Sequence, residues 1–249
     1  SVLMLAGIKN ILIIVNKGQL GQFKKLLQNG ERFGIKITYA EQSKPKGLPD
    51  AFIIGKKFIN KDKIALILGD NFFYGQSLTS KLKTCVKLNS GCKILIHPVN
   101  KPELYGVVNT NYKNKITSIK EKPTKTKSNL AITGLYFFDN KVIEYSKSLK
   151  PSKRNELEIV DLLNKYRKKN KLNAEFLGRG GAWLDTGSIE DFYNTSTFVA
   201  ALENRQGFKI ACLEEIALKY NWKNKKGIKD AIKFYGSCTY SNYLKKLIK

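Results

Sequence analysis

Lys63-Ile-Ala-Leu-Ile-Leu-Gly-Asp-Asn-Phe-Phe-Tyr-Gly75 is the stretch on which the fold turns. Residues 64–68 form a continuous apolar run, too short for a core helix and bounded by Lys63 and Gly69. That pattern predicts a strand buried on both faces, as in parallel α/β sheets. The strand stops at Gly69 and leaves Asp70 and Asn71 at its carboxyl edge, where open α/β sheets collect ligands. A carboxylate there can hold a hard cation such as Mg²⁺, which in turn holds phosphates. It can equally cap a turn, and this stretch alone leaves both readings open.

The segments on either side share one rhythm. Upstream, Asn10–Val15 reads as a buried strand, Leu20–Gln28 as an amphipathic helix ending near Gly30, and Ile35–Ala40 as an alternating strand. Downstream come a helix over Ser77–Leu88 and a strand over 93–97. Strands and helices alternating at this spacing predict βαβ units and a mostly parallel sheet flanked by helices. Val2–Ala6 with Gly7 behind it reads as the last turns of a helix. The loop Glu41–Ala51 is punctuated by Pro45, Gly47 and Pro49, and Pro49 suits the first turn of a helix running to Phe58. A polar loop leading into a helix N-terminus can seat a base or a phosphate, though plain turn chemistry explains it nearly as well.

After Pro98 the pattern changes. Tyr105–Thr110 and Ile116–Glu121 flank Asn111-Tyr-Lys-Asn114, which predicts an antiparallel hairpin closed by Glu121-Lys-Pro123. Ala131–Phe138 is a further buried strand in which Gly134 permits close backbone approach. Arg154–Leu163 reads as a helix rich in early carboxylates. Glu175–Gly187 supplies a strand, a glycine turn, Trp183 and Asp185, and Ser188 is a good N-cap for a helix running to Arg205. Residues 207–249 read as a helical, lysine-rich extension to a main domain spanning 1–206.

Composition narrows the chemistry. The chain has 249 residues, a formal charge of +25 and 45 basic residues. Only five of these are arginines (32, 154, 167, 179 and 205) and the lysines are spread over nearly every segment. Nucleic-acid readers draw on arginine for its forked geometry. The charge therefore reads as a solvated surface that favours anionic substrates, with no nucleic-acid partner expected. The single histidine, His97, excludes a histidine-based metal site or triad. Four cysteines form no CxxC pair, which with the absence of an apolar run of ~20 residues predicts a cytoplasmic chain with reduced thiols and no membrane partner. Catalysis must come from carboxylates, lysines, backbone amides and metal.

Taken in order, these segments resemble the sugar-nucleotide pyrophosphorylases, and among them the glucose-1-phosphate thymidylyltransferases. The resemblance runs through Val2–Ile8, Leu66–Asn71, Tyr105–Val108, Glu121–Pro123, Ser128-Asn129, Ile132–Tyr136, Glu156-Leu-Glu158 with Asp161, Ala182–Gly187 and Glu203–Gly207. It implies an α/β, Rossmann-like nucleotidyltransferase fold and transfer of a nucleotidyl group from dTTP to glucose 1-phosphate, releasing pyrophosphate. It also implies Mg²⁺ on Asp70 and Asp185, with these two and Lys122 as the catalytic set. Gln42 and Gly47 fall on the base side. Tyr105, Gly106, Glu121, Lys122 and Ile132 fall on the sugar-phosphate side, with Glu121 on hydroxyls, Lys122 on phosphate and Trp183 beside the sugar pocket, and Leu48, Asn71 and Gly134 are further substrate-binding positions. Relatives are commonly homotetramers, so a homo-oligomer is expected.

Two departures stand out. Gly47-Leu-Pro-Asp-Ala51 replaces the family's more usual Gly-Leu-Ala-Gln-Ala, at the position that sets base selectivity. The family also opens with a strand and a GGxGTRL loop that cradles the triphosphate, whereas this sequence starts inside the helix that follows. The resemblance therefore implies an N-terminally truncated chain with impaired activity.

Overall fold

The computed structural model describes all 249 residues. In chain order the elements begin α1 (Val2–Leu5), β1 (Asn10–Asn16), α2 (Leu20–Leu27), β2 (Lys36–Gln42), α3 (Asp50–Ile54) and α4 (Lys56–Ile59). There follow β3 (Ile64–Ile67), β4 (Asn71–Gly75), α5 (Leu78–Val86), β5 (Cys92–Pro98), β6 (Gly106–Thr110), β7 (Ile116–Glu121) and β8 (Leu130–Phe138). The chain ends with α6 (Val142–Lys147), α7 (Ile159–Lys168), β9 (Leu172–Phe176), β10 (Gly181–Asp185), α8 (Ile189–Gln206), α9 (Leu213–Lys219), α10 (Lys225–Tyr235) and α11 (Thr239–Leu247). It divides into two compact units, residues 42–184 and residues 1–41 with 185–249.

Unit 42–184 is built on β8, whose nine residues Leu130-Ala-Ile-Thr-Gly-Leu-Tyr-Phe-Phe138 are buried from Ala131 onward. One edge of β8 pairs along its length with β5, antiparallel, from Cys92↔Phe138 to Pro98↔Leu130. The other edge is shared. β3 takes its far end (Ile64↔Phe138 to Ile67↔Leu135), and β6 meets it at Val107↔Ala131. Both contacts are antiparallel. The β6–β7 hairpin forms as its turn chemistry predicts, with Gly106 opposite Glu121 and the Asn111 Oδ1 accepting from the amides of Lys113 and Lys115. Phe52, Ile94, Ile96, Tyr136, Phe138, Leu162, Leu163 and Tyr166 pack as one apolar core beneath the sheet. Each contributes about 2 kcal/mol by burial.

The sheet corrects one expectation. It is mixed, not mostly parallel, and only β5–β9 runs parallel among its paired strands. The cause is β8, an oppositely directed strand lying between β3 and β5. These two are joined by a helical connection through α5 and still run the same way as each other, so a βαβ rhythm in sequence hides an antiparallel neighbour. β3 is also only half-buried, not covered on both faces. The helix expected over Arg154–Leu163 starts later, at Ile159, with Glu158 as its N-cap. The run Pro49–Phe58 breaks at Gly55 into α3 and α4.

The other unit packs Met4, Phe33, Ile35, Ile37, Ile216 and Ala217 into one cluster, and Cys212, Ile228, Ala231, Tyr243 and Leu244 into a second. The helices after residue 206 are thus shared with the N-terminal segment: Tyr220 donates its hydroxyl to the Leu5 carbonyl at 2.7 Å. The buried Glu214 accepts from the hydroxyls of Tyr235 (2.7 Å) and Tyr240 (2.6 Å), which ties α9 to α10 and α11. Ser188 caps α8 as expected, accepting from the Asp191 amide at 3.0 Å, and Gly207 ends that helix in the left-handed region.

Candidate functional site

Between the part of β8 paired with β3 and the residue paired with β6, residues 132–134 are buried but have no strand partner on that edge. The chain leaving β3 crosses this gap. The Leu68 amide donates to the Gly134 carbonyl at 2.9 Å and the Asn71 amide to the Leu68 carbonyl at 3.3 Å, so Gly69 and Asp70 form a turn between β3 and β4. Asp70 therefore lies in a turn and not at a free strand end, because a second strand, β4, starts immediately after it. β4 pairs with β10, which carries Trp183.

Asn71 is the hub of this corner. Its Oδ1 accepts from Trp183 Nε1 at 2.6 Å and from the Gly134 amide at 2.9 Å, while its Nδ2 donates to Asp70 Oδ1 at 2.7 Å. A Cβ on Gly134 would lie 2.5 Å from Asn71 Oδ1, so glycine is required here by close approach, as its place in the strand predicted. The Trp183 ring meets Tyr105 edge-on, with centroids 5.1 Å apart and planes at 61°.

The hairpin end supplies the charge. Glu121, opposite Gly106, is half-buried. A Cβ on Gly106 would touch Glu121 Oε2 and Ile132 Cδ1, each at 3.4 Å. Burial raises the Glu121 carboxyl above the ordinary glutamate range, and the nearby Glu158 charge adds to this, while Arg154 and Lys122 oppose it. Lys122 is exposed and holds φ +39°, with its amide donating to the Tyr105 carbonyl at 3.0 Å. Tyr105, Gly106, Glu121, Lys122, Ile132, Gly134, Asn71, Asp70 and Trp183 all lie in unit 42–184, linked through the β6–β7 hairpin and the β8 gap.

Glu156-Leu-Glu158 belongs to the segments that resemble the family, but neither Arg154 nor Glu158 is among the expected site residues. Glu158 holds Arg154 by two bonds, Nη2 to Oε2 at 2.7 Å and Nε to Oε1 at 3.2 Å, and accepts from Ser152 Oγ at 2.6 Å. Burial alone would raise the Glu158 carboxyl, but the bonds from Ser152 and Arg154 outweigh it and hold it low. The same guanidinium lies 3.6 Å from Glu121 Oε1. One signal was available: Arg154 is one of five arginines in a chain that otherwise uses lysine.

Of the residues expected on the base side, Gln42 donates from Nε2 to Asp50 Oδ2 at 3.0 Å. Gly47 sits at φ +92° with its α-carbon against the Leu157 main chain, and Leu48 packs on the core. Asp185 ends β10 in the other unit, and its carboxylate accepts from the Gly187 amide at 2.9 Å. Among all residues no cluster of three or more His, Cys, Asp or Glu side chains forms a metal cage.

Comparison with known proteins decides the family. The nucleotidyl transferase family matches residues 1–201. The chain belongs to that family, in its glucose-1-phosphate thymidylyltransferase branch. It is 46% identical to the glucose-1-phosphate thymidylyltransferase of Neisseria meningitidis serogroup A over 249 residues, all of this chain and 86% of the relative. It is 40% identical to the Mycobacterium tuberculosis enzyme of the same name over 247 residues, 99% of this chain and 85% of that one. A sucrose-bound Bacillus anthracis structure, provisionally given the same name, superposes with a TM-score of 0.73 at 35% identity, covering 79% of this chain and 78% of its own. A UDP-glucose pyrophosphorylase bound to UDP-glucose shares the fold at TM-score 0.68 and 24% identity. No helix is long and apolar enough to cross a membrane.

Proposed function

We propose that this chain performs nucleotidyl transfer from dTTP to glucose 1-phosphate, giving dTDP-glucose and pyrophosphate. The observation that carries the reading is the grouping of Glu121, Lys122, Tyr105, Asn71 and Trp183 beside the segment of β8 between its β3 and β6 pairings, in a chain 46% identical to an enzyme of that name. An acidic side chain for hydroxyls beside cationic ones for phosphate suits a sugar phosphate, and the Tyr105–Trp183 pair supplies an apolar wall.

In this reading Glu121 accepts from sugar hydroxyls while Lys122 draws the sugar phosphate toward it. The reaction displaces pyrophosphate from the α-phosphorus, so positioning and charge neutralisation supply most of the rate. Asp70 and Asp185 are each proposed to offer a hard carboxylate oxygen to Mg²⁺, an ion commonly held by one or two carboxylates with the remaining places filled by water and substrate phosphates. When bound, the ion would neutralise charge on the phosphates. Gln42, Gly47 and Leu48 form the proposed base side. Gln42 is already turned onto Asp50, one of the two residues that depart from the family loop, so this pair is proposed to tune base choice.

Residues 1–206 and 207–249 are proposed as catalytic domain and extension. A homo-oligomer is proposed for the assembly, supported by Ile189, Phe192 and Tyr193, which expose an apolar face of α8 (91, 62 and 69% exposed). Light scattering checks it, and a strict monomer would contradict it.

Calorimetry with glucose 1-phosphate tests the sugar side directly. The expected result is saturable binding that Glu121→Gln and Lys122→Ala each weaken about tenfold. Binding indifferent to both would contradict the assignment. A binding homologue without catalysis would take up dTDP-glucose yet release no pyrophosphate.

A further inference from the structure

Asn71 has its amide oxygen engaged by two protein donors. Trp183 Nε1 and the Gly134 amide both aim at one atom, so that atom is the oxygen and the amino group must face Asp70. Both lone pairs of the oxygen are thereby used. Gly134 makes room for this amide, since a Cβ there would lie 2.5–2.8 Å from Asn71 Oδ1, Cγ and Nδ2. The turn beneath it is fixed by the Leu68–Gly134 and Asn71–Leu68 main-chain bonds. The result is a continuous chain of contacts, Asp70 to Asn71 to Trp183 to Tyr105.

We propose that Asn71 is a positioning residue, holding the Asp70 carboxylate and the Trp183 indole in fixed relation, and acting through these two groups. This rests on the proposed roles of Asp70 at the phosphates and Trp183 beside the sugar. It assigns one side chain to align the cation-facing and sugar-facing parts of the site.

Two substitutions separate the two arms. Asn71→Asp keeps an acceptor for Trp183 and Gly134 but removes the donor to Asp70 and sets a like charge beside it. Asn71→Leu has similar shape and removes all three bonds. Both are made with Trp222→Phe, leaving Trp183 as the only one of the chain's two tryptophans. Three readouts follow: Trp183 emission without ligand, glucose 1-phosphate binding by calorimetry, and Mn²⁺ binding with dTTP by electron paramagnetic resonance.

Asn71→Asp keeps the acceptor for Trp183 and is expected to weaken Mn²⁺ binding about tenfold or more, a larger loss than it causes in glucose 1-phosphate affinity. Asn71→Leu is expected to shift Trp183 emission and to weaken both ligands about tenfold. The proposal is overturned if Asn71→Asp leaves Mn²⁺ binding unchanged, or if a folded Asn71→Leu protein keeps the parent Trp183 emission. If Asn71→Leu does not fold, the split in Asn71→Asp decides alone. A parent protein that binds no glucose 1-phosphate would defeat the functional reading instead, and the emission results would still judge the Trp183 arm.

Discussion

Gly47 and Leu157 touch main chain to main chain: a Cβ on Gly47 would sit 2.1 Å from the Leu157 carbonyl oxygen, and the Leu157 amide donates to the neighbouring Lys46 carbonyl at 2.8 Å. The proposed base-side loop is thereby fastened to the residue just before Glu158, which holds Arg154 beside Glu121.

Gly47→Ala is therefore expected to be severe. A methyl cannot enter a backbone contact, and φ +92° adds strain for any L side chain. The loss is expected at about 3 kcal/mol or more, read from urea midpoints. A change below 1 kcal/mol would mean that the two segments are not joined.

Lys122 offers the reverse case. Its φ of +39° is uncommon for a residue with a side chain, and strain of about 1 kcal/mol is typical there. Lys122→Gly should leave stability within about 1 kcal/mol of the parent while glucose 1-phosphate affinity falls about tenfold. Denaturation and calorimetry on the same preparation check both. A large loss of stability would show that the lysine is held for structure.

Glu121 carries a linked prediction in pH. Its carboxyl is raised by burial first and the Glu158 charge next, so the folded state keeps its proton to higher pH than the unfolded chain. By linkage its contribution is complete below the ordinary glutamate range and is lost as pH rises through the folded value. Glu121→Gln should therefore raise the melting midpoint at neutral pH, and the gain should close toward about pH 4. A gain that is flat with pH would contradict the sign.

The thiols are equally distinct. Cys85, Cys92 and Cys212 are buried, and burial pushes their thiols up, to about 12 for Cys85 and about 11 for Cys212. Cys238 alone is exposed, and hydrogen bonds from the side chain and amide of Ser241 at the start of α11 lower it. Brief iodoacetamide treatment of the native protein should add one label, absent in Cys238→Ala. Labelling of a second cysteine at comparable rate would contradict this.

Much of the architecture is legible in single residues. Ser188, Gly207, the Asn111 turn and the close-approach glycine at 134 each announce their role by local chemistry. Strand direction is not local: Leu130–Phe138 reads as a buried strand, but nothing in it says that it runs against β3 and β5. β4 escaped because its pairing partner, β10, lies about a hundred residues away in sequence. The placement of Asp70 followed from the apolar run before it. Arg154 and Glu158 did not stand out, since their pairing depends on a loop conformation that puts a guanidinium between two carboxylates.

Phosphorus NMR of the protein with dTTP, glucose 1-phosphate and Mg²⁺ follows the transfer itself. Equal growth of dTDP-glucose and pyrophosphate is expected, dependent on both substrates and reduced at least about a hundredfold by Asp70→Asn, on the order expected for loss of an electrostatic catalytic contact. A folded protein that binds glucose 1-phosphate but forms neither product would contradict it.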